Sequence, residues 1–403
     1  MMTLIADLQA RLKGAVGLKV RPEPWGAIVS LERPAMLLYV DQPMARRLGV
    51  RAESLWRNGG TRHSAPVEVH WTLSRRCDQA CPGCYTSSTP QAPPADLSQI
   101  EHVADALAEA GVLHVALGGG EPLADEATFI AARALRQRGI APSTTTSGAP
   151  VTADLAQRLG DFAQINVSID GVGVDDYARV RGPTPEGQRE RFEQADEALR
   201  LLKRHHGRAG INAVLTRHTF DALPRLVAYA RRRRVTELEL LRLKPAGRGI
   251  SVYRDLRLTP AQGRALLPKA LHLGRKHRVR IKMDCSLAPF VCHHQPEPRV
   301  LRFFRIGGCE AGDTLASVGP HGRATGCSFL SQPAGSARQA FVTDWPSQPL
   351  FERYRRYRAE APAPCDTCDY VDVCNGGCRA VSAHLTGDAM APDPECPRVM
   401  AHP

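Results

Sequence analysis

Cys77, Cys81 and Cys84 stand in the stretch Arg-Arg-Cys-Asp-Gln-Ala-Cys-Pro-Gly-Cys-Tyr, spaced C-x-x-x-C-x-x-C, straight after an apolar strand pattern and just before Tyr85. Three thiolates can hold three irons of a cubic 4Fe-4S cluster and leave the fourth iron open to a substrate or cosubstrate. Structural zinc is the plainer use of cysteine, but it favours four ligands in two tight C-x-x-C pairs. No fourth ligand lies close by here. A second array runs through Cys309, Cys327, Cys365, Cys368, Cys374, Cys378 and Cys396, with Cys365 to Cys378 spaced C-x-x-C-x5-C-x3-C. A zinc ribbon uses four ligands per metal, and this array extends well past four. Cys285 and Cys292 complete the twelve cysteines, and Cys292 adjoins His293 and His294.

Composition narrows the setting. The chain has 403 residues, enough for one large catalytic domain with smaller additions, and its hydrophobic content of 43% is ordinary for a globular protein. The first twelve residues have the spacing of an amphipathic helix without the long apolar core or small-residue cleavage site of a signal peptide. No stretch of eighteen apolar residues occurs, so no membrane span is expected and a cytoplasmic location is. Cysteines clustered at metal-ligand spacing in such a chain read as reduced thiolates on metal, not as a disulfide framework. The net charge is +12, with runs such as Arg231 to Arg234. Solvated helix ends account for such runs; an acidic partner would also suit them. No aromatic stacking pattern accompanies the arginines, which disfavours nucleic acid.

The elements that must position these cysteines follow from periodicity. From Val67 the chain alternates strand candidates (67–73, 112–117, 142–146, 165–169, 210–216 and 237–243) with helical patterns near 96–110, 126–138, 153–159, 189–206 and 220–234. Six βα units with short apolar strands predict an α/β fold, a parallel sheet with helices outside that right-handed crossovers curl into a partial barrel. Ligands in such sheets bind at the carboxyl ends of the strands. A helix near 259–277 and a strand at 279–283 follow. The last 120 or so residues, rich in Cys, Gly and Pro, are expected to fold around metal and not around an apolar core. Residues 1–65 read as a helix, short strands at 26–31 and 36–40, and a helix from Gln42: an N-terminal extension packed on the barrel.

The C-x-x-x-C-x-x-C loop resembles the signature of the radical S-adenosylmethionine (radical SAM) enzymes, and the resemblance continues in order along most of the chain. Gly118-Gly119-Gly120-Glu121-Pro122 is similar to the family's G-G-E-P element, Ser168-Ile169-Asp170-Gly171 to its S-[IL]-D-G element, and Pro245-Ala246-Gly247-Arg248-Gly249 to its P-x-G-R element. The resemblance implies a partial (β/α)6 TIM-like barrel at 66–278, followed by a small cysteine-rich iron–sulfur domain at 279–403. Cys77, Cys81 and Cys84 would hold a cluster with one open iron, where S-adenosylmethionine is cleaved to a 5′-deoxyadenosyl radical. Gly119, Gly120 and Glu121 would meet its amino group, and Ser147 would lie near its methionine moiety. Ser168 and Arg181 would contact its ribose or carboxylate, with Asp170 orienting them or capping the loop. The backbone and apolar side chains of Asn212 to Leu215 would line the adenine, and Tyr85 would pack beside it.

The C-terminal array resembles the SPASM domain pattern of seven cysteines. By that resemblance Cys365, Cys368, Cys374 and Cys396 ligate an outer auxiliary 4Fe-4S cluster and Cys309, Cys327 and Cys378 an inner one, giving three clusters in all. Cys285 or Cys292 could supply the inner cluster's fourth ligand. Sulfatase-maturating relatives have an aspartate base after the cysteine matching Cys327; here that residue is Ser328, a poor base near neutral pH. Residues 1–65 are similar to a reduced leader-peptide-binding element. The activity implied is oxidoreductase modification of a ribosomally made peptide, with a low-potential donor such as flavodoxin or ferredoxin. The alternatives are a small-molecule or tetrapyrrole precursor as substrate, and a non-catalytic iron–sulfur electron carrier or nucleic-acid-binding metalloprotein.

Overall fold

Strand β4, Glu68–Ser74, sets the rule for the central sheet: Val69, Trp71 and Leu73 are buried, while Glu68, His70 and Thr72 between them keep part of their surface open. The same alternation recurs in β5 (His114–Gly119), β6 (Ala141–Thr146) and β7 (Gln164–Ser168). A period of two assigns one face to the outer helices and the other to the barrel interior. The computed structural model describes residues 17–32, 35–182, 185–235 and 237–402. The helical start expected over the first twelve residues lies outside the described residues.

Strands β4 to β7, β8 (Ala209–Leu215), β9 (Glu237–Arg242) and β10 (Arg280–Met283) pair in sequence order, every pair parallel. The intervening helices start where the sequence offers caps. Asp125, Thr152 and Thr216 each accept from a backbone N–H of the helix they precede. The apolar faces of these helices and of the strands form one core around Val69, Leu107, Leu135, Ile165, Leu199 and Leu226. The sheet stays open, with β10 at one edge. Among the described residues of the barrel, two helices escaped the periodicity: Val174–Arg181 and Gly249–Leu256, short and directly after loops rich in glycine.

The C-terminal region departs from the metal-centred expectation. Strand β11 (Leu315–Val318) pairs parallel with β4, and β12 (Arg323–Thr325) and β13 (Pro333–Ser336) extend the sheet antiparallel from it. Ala316, Val318, Phe341, Trp345 and Phe351 belong to the main core. Trp345 donates its indole N–H to the carbonyl of His63 at 2.9 Å. These apolar residues stand singly or in runs of two or three, too short to show a period, yet they bury as any core does.

Strands β1 (Lys19–Glu23), β2 (Gly26–Leu31) and β3 (Met36–Asp41) form a separate antiparallel sheet in the order β1-β2-β3. It sits against the amino ends of β4 and β5. Arg21 donates to the carbonyls of Ala65, Pro66 and Gly111, and Ser30 meets His114 Nε2 at 2.9 Å. Among the described residues no helix is long and apolar enough to cross a membrane.

Candidate active site

The three-cysteine loop leaves the carboxyl end of β4 and is pinned by its own backbone. Cys77 N–H donates to Thr89 O at 3.1 Å and Thr89 N–H to Arg75 O at 3.0 Å. The glycine run at the end of β5 lies along it: Gly120 N–H donates to Ser74 O and Glu121 N–H to Arg76 O, both at 3.0 Å. A Cβ at Gly119 would stand 2.0 Å from Ser74 O and one at Gly120 1.8 Å from Arg76 O. So the close approach that demands glycine is made by the loop itself. Gly247 plays the same part from the far side, where a Cβ would meet Cys84 O and Tyr85 O at 2.6 and 2.5 Å. Arg248, whose place in the site the sequence pattern left unassigned, clamps the loop by donating to Cys81 O at 3.0 Å and Ser88 O at 2.6 Å.

The thiols have donors of their own. Cys84 Sγ is approached by Thr86 Oγ1 at 3.3 Å and Ser88 N–H at 3.5 Å, and Cys77 Sγ by Gln79 N–H at 3.4 Å. Arg181 Nη1 reaches Cys81 Sγ at 3.9 Å. Burial opposes ionisation of Cys84, but the Thr86 and Ser88 hydrogen bonds and the Arg248 charge outweigh it and lower the thiol's pKa. Burial dominates at Cys77 and pushes it up to about 11. Hydrogen bonds to sulfur are among the levers that tune iron–sulfur clusters. All twelve cysteines are free thiols, and among the described residues no three His, Cys, Asp or Glu side chains converge on one ion position. Three thiols on one pinned loop, each approached by a hydrogen-bond donor, fit the ligand set of an iron–sulfur cluster.

Around the loop the remaining motif residues gather as follows. Glu121 is buried, and its carboxylate accepts from Leu123 N–H, Thr146 Oγ1 and the backbone and hydroxyl of Ser147. Burial raises its pKa despite these donors. Its hydrogen bonds are spent on the end of β6, so Glu121 and Ser147 act as a unit. Asp170 is also buried; it accepts from Arg181 Nε and from Val214 N–H at 2.6 Å. Ser168 O accepts from Tyr177. Asn212 bridges Asn166 and Thr145 across the inner face at 2.7 and 3.1 Å. Leu215 needs correction: its side chain is fully buried in the helix-side core, and alternation turns Val214 inward instead. Only the backbone of Leu215 is left for a ligand.

Tyr85 connects this loop to the C-terminal cysteines. Its ring packs on Phe329 with centroids 4.8 Å apart, and Lys244 Nζ lies 4.5 Å from the Phe329 centroid. Lys244 pairs with Asp284 inside the structure. Here the cysteines divide. Cys285, Cys309, Cys327 and Cys378 line one cavity together with Lys244 and Phe329. Cys365, Cys368, Cys374 and Cys396 line another, and Cys292 joins them there, hydrogen-bonded to Cys374. Burial pushes Cys327 and Cys396 up to about 12, so these thiols ionise only when a cation repays the desolvation. The buried hydroxyls of Tyr354 and Tyr357 are among those that lack a nitrogen or oxygen partner. Tyr357 faces the Cys365 thiol. Nothing in the sequence spacing flagged these hydroxyls, or His70, whose ring lies in the barrel interior between Glu68 and Ser328.

Comparison with known proteins agrees with this arrangement. Residues 71–230 match the family model described as the radical SAM superfamily. The chain is 29% identical over 342 residues to the mycofactocin maturase MftC of Mycolicibacterium smegmatis, covering 82% of this chain and 83% of that protein. It is 24% identical to the AdoMet-dependent heme synthase of Methanosarcina barkeri, over 83% of this chain and 97% of the relative. It is 26% identical to the PqqA peptide cyclase of Granulibacter bethesdensis, over 84% and 88%. The crystal structure of Streptococcus suis SuiB bound to its precursor peptide SuiA has the same fold, with a TM-score of 0.72 over 95% of this chain and 99% of that one, at 16% identity. With a radical SAM domain at residues 71–230, the chain is an enzyme of the radical SAM type and uses S-adenosylmethionine and a 4Fe-4S cluster.

Proposed function

We propose that this enzyme modifies a ribosomally made peptide by forming a crosslink or thioether or by another oxidative change, with three 4Fe-4S clusters. When bound, the cluster and S-adenosylmethionine supply a 5′-deoxyadenosyl radical, which takes a hydrogen atom from the substrate. Cys77, Cys81 and Cys84 hold that cluster on a loop that Arg248 and the glycine runs keep rigid. Tyr85, Gly119, Gly120, Ser147, Ser168 and Arg181 surround the cosubstrate, with Glu121 and Asp170 fixing Ser147 and Arg181 in place. Cys285, Cys309, Cys327 and Cys378 hold the inner auxiliary cluster and Cys365, Cys368, Cys374 and Cys396 the outer one. Cys292 stands beside the outer set.

The observation that carries this reading is the Tyr85–Phe329 contact, because it brings the first cysteine loop next to the cavity that holds Cys327. Redox help from a second cluster needs that adjacency. The peptide class is supported by the span shared with a PqqA peptide cyclase. It is also supported by strand β3, whose outer edge is unpaired among the described residues and can accept an added peptide strand. Residues 1–65 would then serve as leader-binding element and barrel cap, 66–278 as the radical domain and 279–403 as the auxiliary-cluster domain. A low-potential donor such as flavodoxin or ferredoxin, in the cytoplasm, would supply electrons.

A second reading, a tetrapyrrole precursor as substrate, is favoured by the similarity to a heme synthase. Anaerobic reconstitution with the peptide encoded beside the gene, and separately with porphyrin precursors, distinguishes them. A peptide mass change that depends on S-adenosylmethionine supports the first reading; turnover of a porphyrin alone overturns it.

A further inference from the structure

His70 stands on the inner face of β4, seven residues before the first cysteine of the loop. Its Nδ1 is 3.2 Å from Ser328 Oγ, and its Nε2 is 3.1 Å from Glu68 Oε1. The contact joins positions 258 residues apart, and β11 creates it by pairing with β4 so that the chain after β12 passes over the ring. The three side chains are in line: hydroxyl, imidazole, carboxylate. Such a line can move a proton when the carboxylate holds a hydrogen on one ring nitrogen and leaves the other as an acceptor. Glu68 selects this tautomer, with its hydrogen on Nε2.

The surroundings distinguish a relay from a structural tie. The four-residue register between β4 and β11 already fastens the two segments. The side chains of His70 and Glu68 keep 34% and 46% of their surface open, and alternation turns both to the barrel interior. Burial works against the charge of Glu68, but the His70 hydrogen bond and the charges of His70, His114 and Lys282 outweigh it and hold the carboxyl below its usual range. Glu239, facing it from β9, and Glu310, from the segment before β11, are instead pushed up, first by burial and also by the Glu68 charge. Glu68 is therefore the carboxylate of this group that favours its ionised form. Ser328 itself lies between Cys327 and Phe329, and Phe329 packs on Tyr85.

We infer that Ser328, His70 and Glu68 form a proton relay to the bound substrate. The Ser328 hydroxyl receives a proton from the substrate as it passes its own hydrogen to Nδ1 of His70, and Glu68 holds the imidazolium that results. Two protons shift together, for a net transfer of one from substrate to His70, and no electron moves: the substrate's charge falls by one, that of His70 rises by one and Ser328 is unchanged. The relay supplies the base that serine alone cannot be. It rests on the radical SAM reading and on a peptide substrate.

Two arms test it. The first needs no substrate. Diethylpyrocarbonate acylates an imidazole nitrogen that it can reach, so in the reconstituted enzyme Glu68→Ala, which uncovers Nε2, should speed labelling of His70 several-fold, followed residue by residue by mass spectrometry. An unchanged rate would overturn the pairing. In the second arm, the peptide encoded beside the gene is turned over, and modified peptide is counted per 5′-deoxyadenosine formed. His70→Asn should lower that ratio about 100-fold, and adding Ser328→Asp to it should restore most of the loss, because a carboxylate takes the proton directly. A wild-type ratio in His70→Asn, or no recovery in the double variant, contradicts the relay. Wild-type enzyme that leaves the peptide unmodified would contradict the peptide reading instead, and the labelling arm still decides the relay.

Discussion

Arg242, at the end of β9, grips Asp393 with both guanidinium nitrogens, at 2.6 and 3.1 Å, across 151 positions of chain. Both side chains are at most 3% exposed. Asp393 also accepts from the backbone N–H of Cys378 and Glu395, and Arg242 donates to Glu395 and Ser286 O. The pair fastens the mouth of the barrel to both cysteine cavities, since Cys378 lines one and Asp393 itself the other. Asp393→Ala leaves a buried guanidinium without its main counter-charge, and should cost about 3–5 kcal/mol. Chemical denaturation of the purified protein measures this; iron content should fall with it.

Gly120 has no room for a side chain, because a Cβ would stand 1.8 Å from Arg76 O, a backbone atom. Gly120→Ala must push the cysteine loop away from β5, at about 1–3 kcal/mol. S-adenosylmethionine cleavage after reduction should fall more sharply than the melting temperature, since the loop moves before the barrel does. Gly139→Ala is the control, because open space surrounds it, though its φ of +71° carries its own strain.

Cys285 and Cys292 should part company. Cys285 shares a cavity with Cys309, Cys327 and Cys378, and Cys292 shares one with four other cysteines. Cys285→Ala should therefore change the Mössbauer or EPR signature of one auxiliary cluster, while Cys292→Ala should keep the full iron content. Equal loss in both would contradict the division.

Much of this was legible in the sequence. The period of two in β4 to β7 and the loops at their carboxyl ends gave the barrel and located the motifs, because parallel strands carry their loops to one rim. Which cavity takes Cys285 and which takes Cys292 was not legible: spacing left both as candidates, and only the turn after β10 sends one to each cavity. The side chain of Leu215 faces the helices for a local reason, since Asn212 and Val214 share the inner face, and only its backbone is left for a ligand. The Ser328–His70 contact was beyond reach because it depends on β11 joining β4, and a four-residue strand leaves no periodic trace.

Asp313 and His63 couple the N-terminal extension to the segment before β11, with His63 Nδ1 3.0 Å from Asp313 Oδ1. Burial opposes the Asp313 charge, but the His63 hydrogen bond and the charges of His63, Arg358 and Arg355 outweigh it and hold the carboxyl below its ordinary range. A carboxylate depressed in the folded state adds stability above its unfolded value, near 3.9, and loses it as pH falls through the folded one. Wild type should exceed Asp313→Asn by about 1–2 kcal/mol near neutral pH, and the gap should close below about pH 4. A gap independent of pH would contradict the ionised Asp313 carboxylate.

The most direct test of the whole account is Cys81→Ala in anaerobically reconstituted enzyme, with 5′-deoxyadenosine measured after chemical reduction in the presence of S-adenosylmethionine. The account predicts that 5′-deoxyadenosine disappears and iron falls by about one cluster's worth, while Cys368→Ala still cleaves S-adenosylmethionine but does not modify the substrate. Continued formation of 5′-deoxyadenosine by Cys81→Ala would contradict the assignment of the three-cysteine loop.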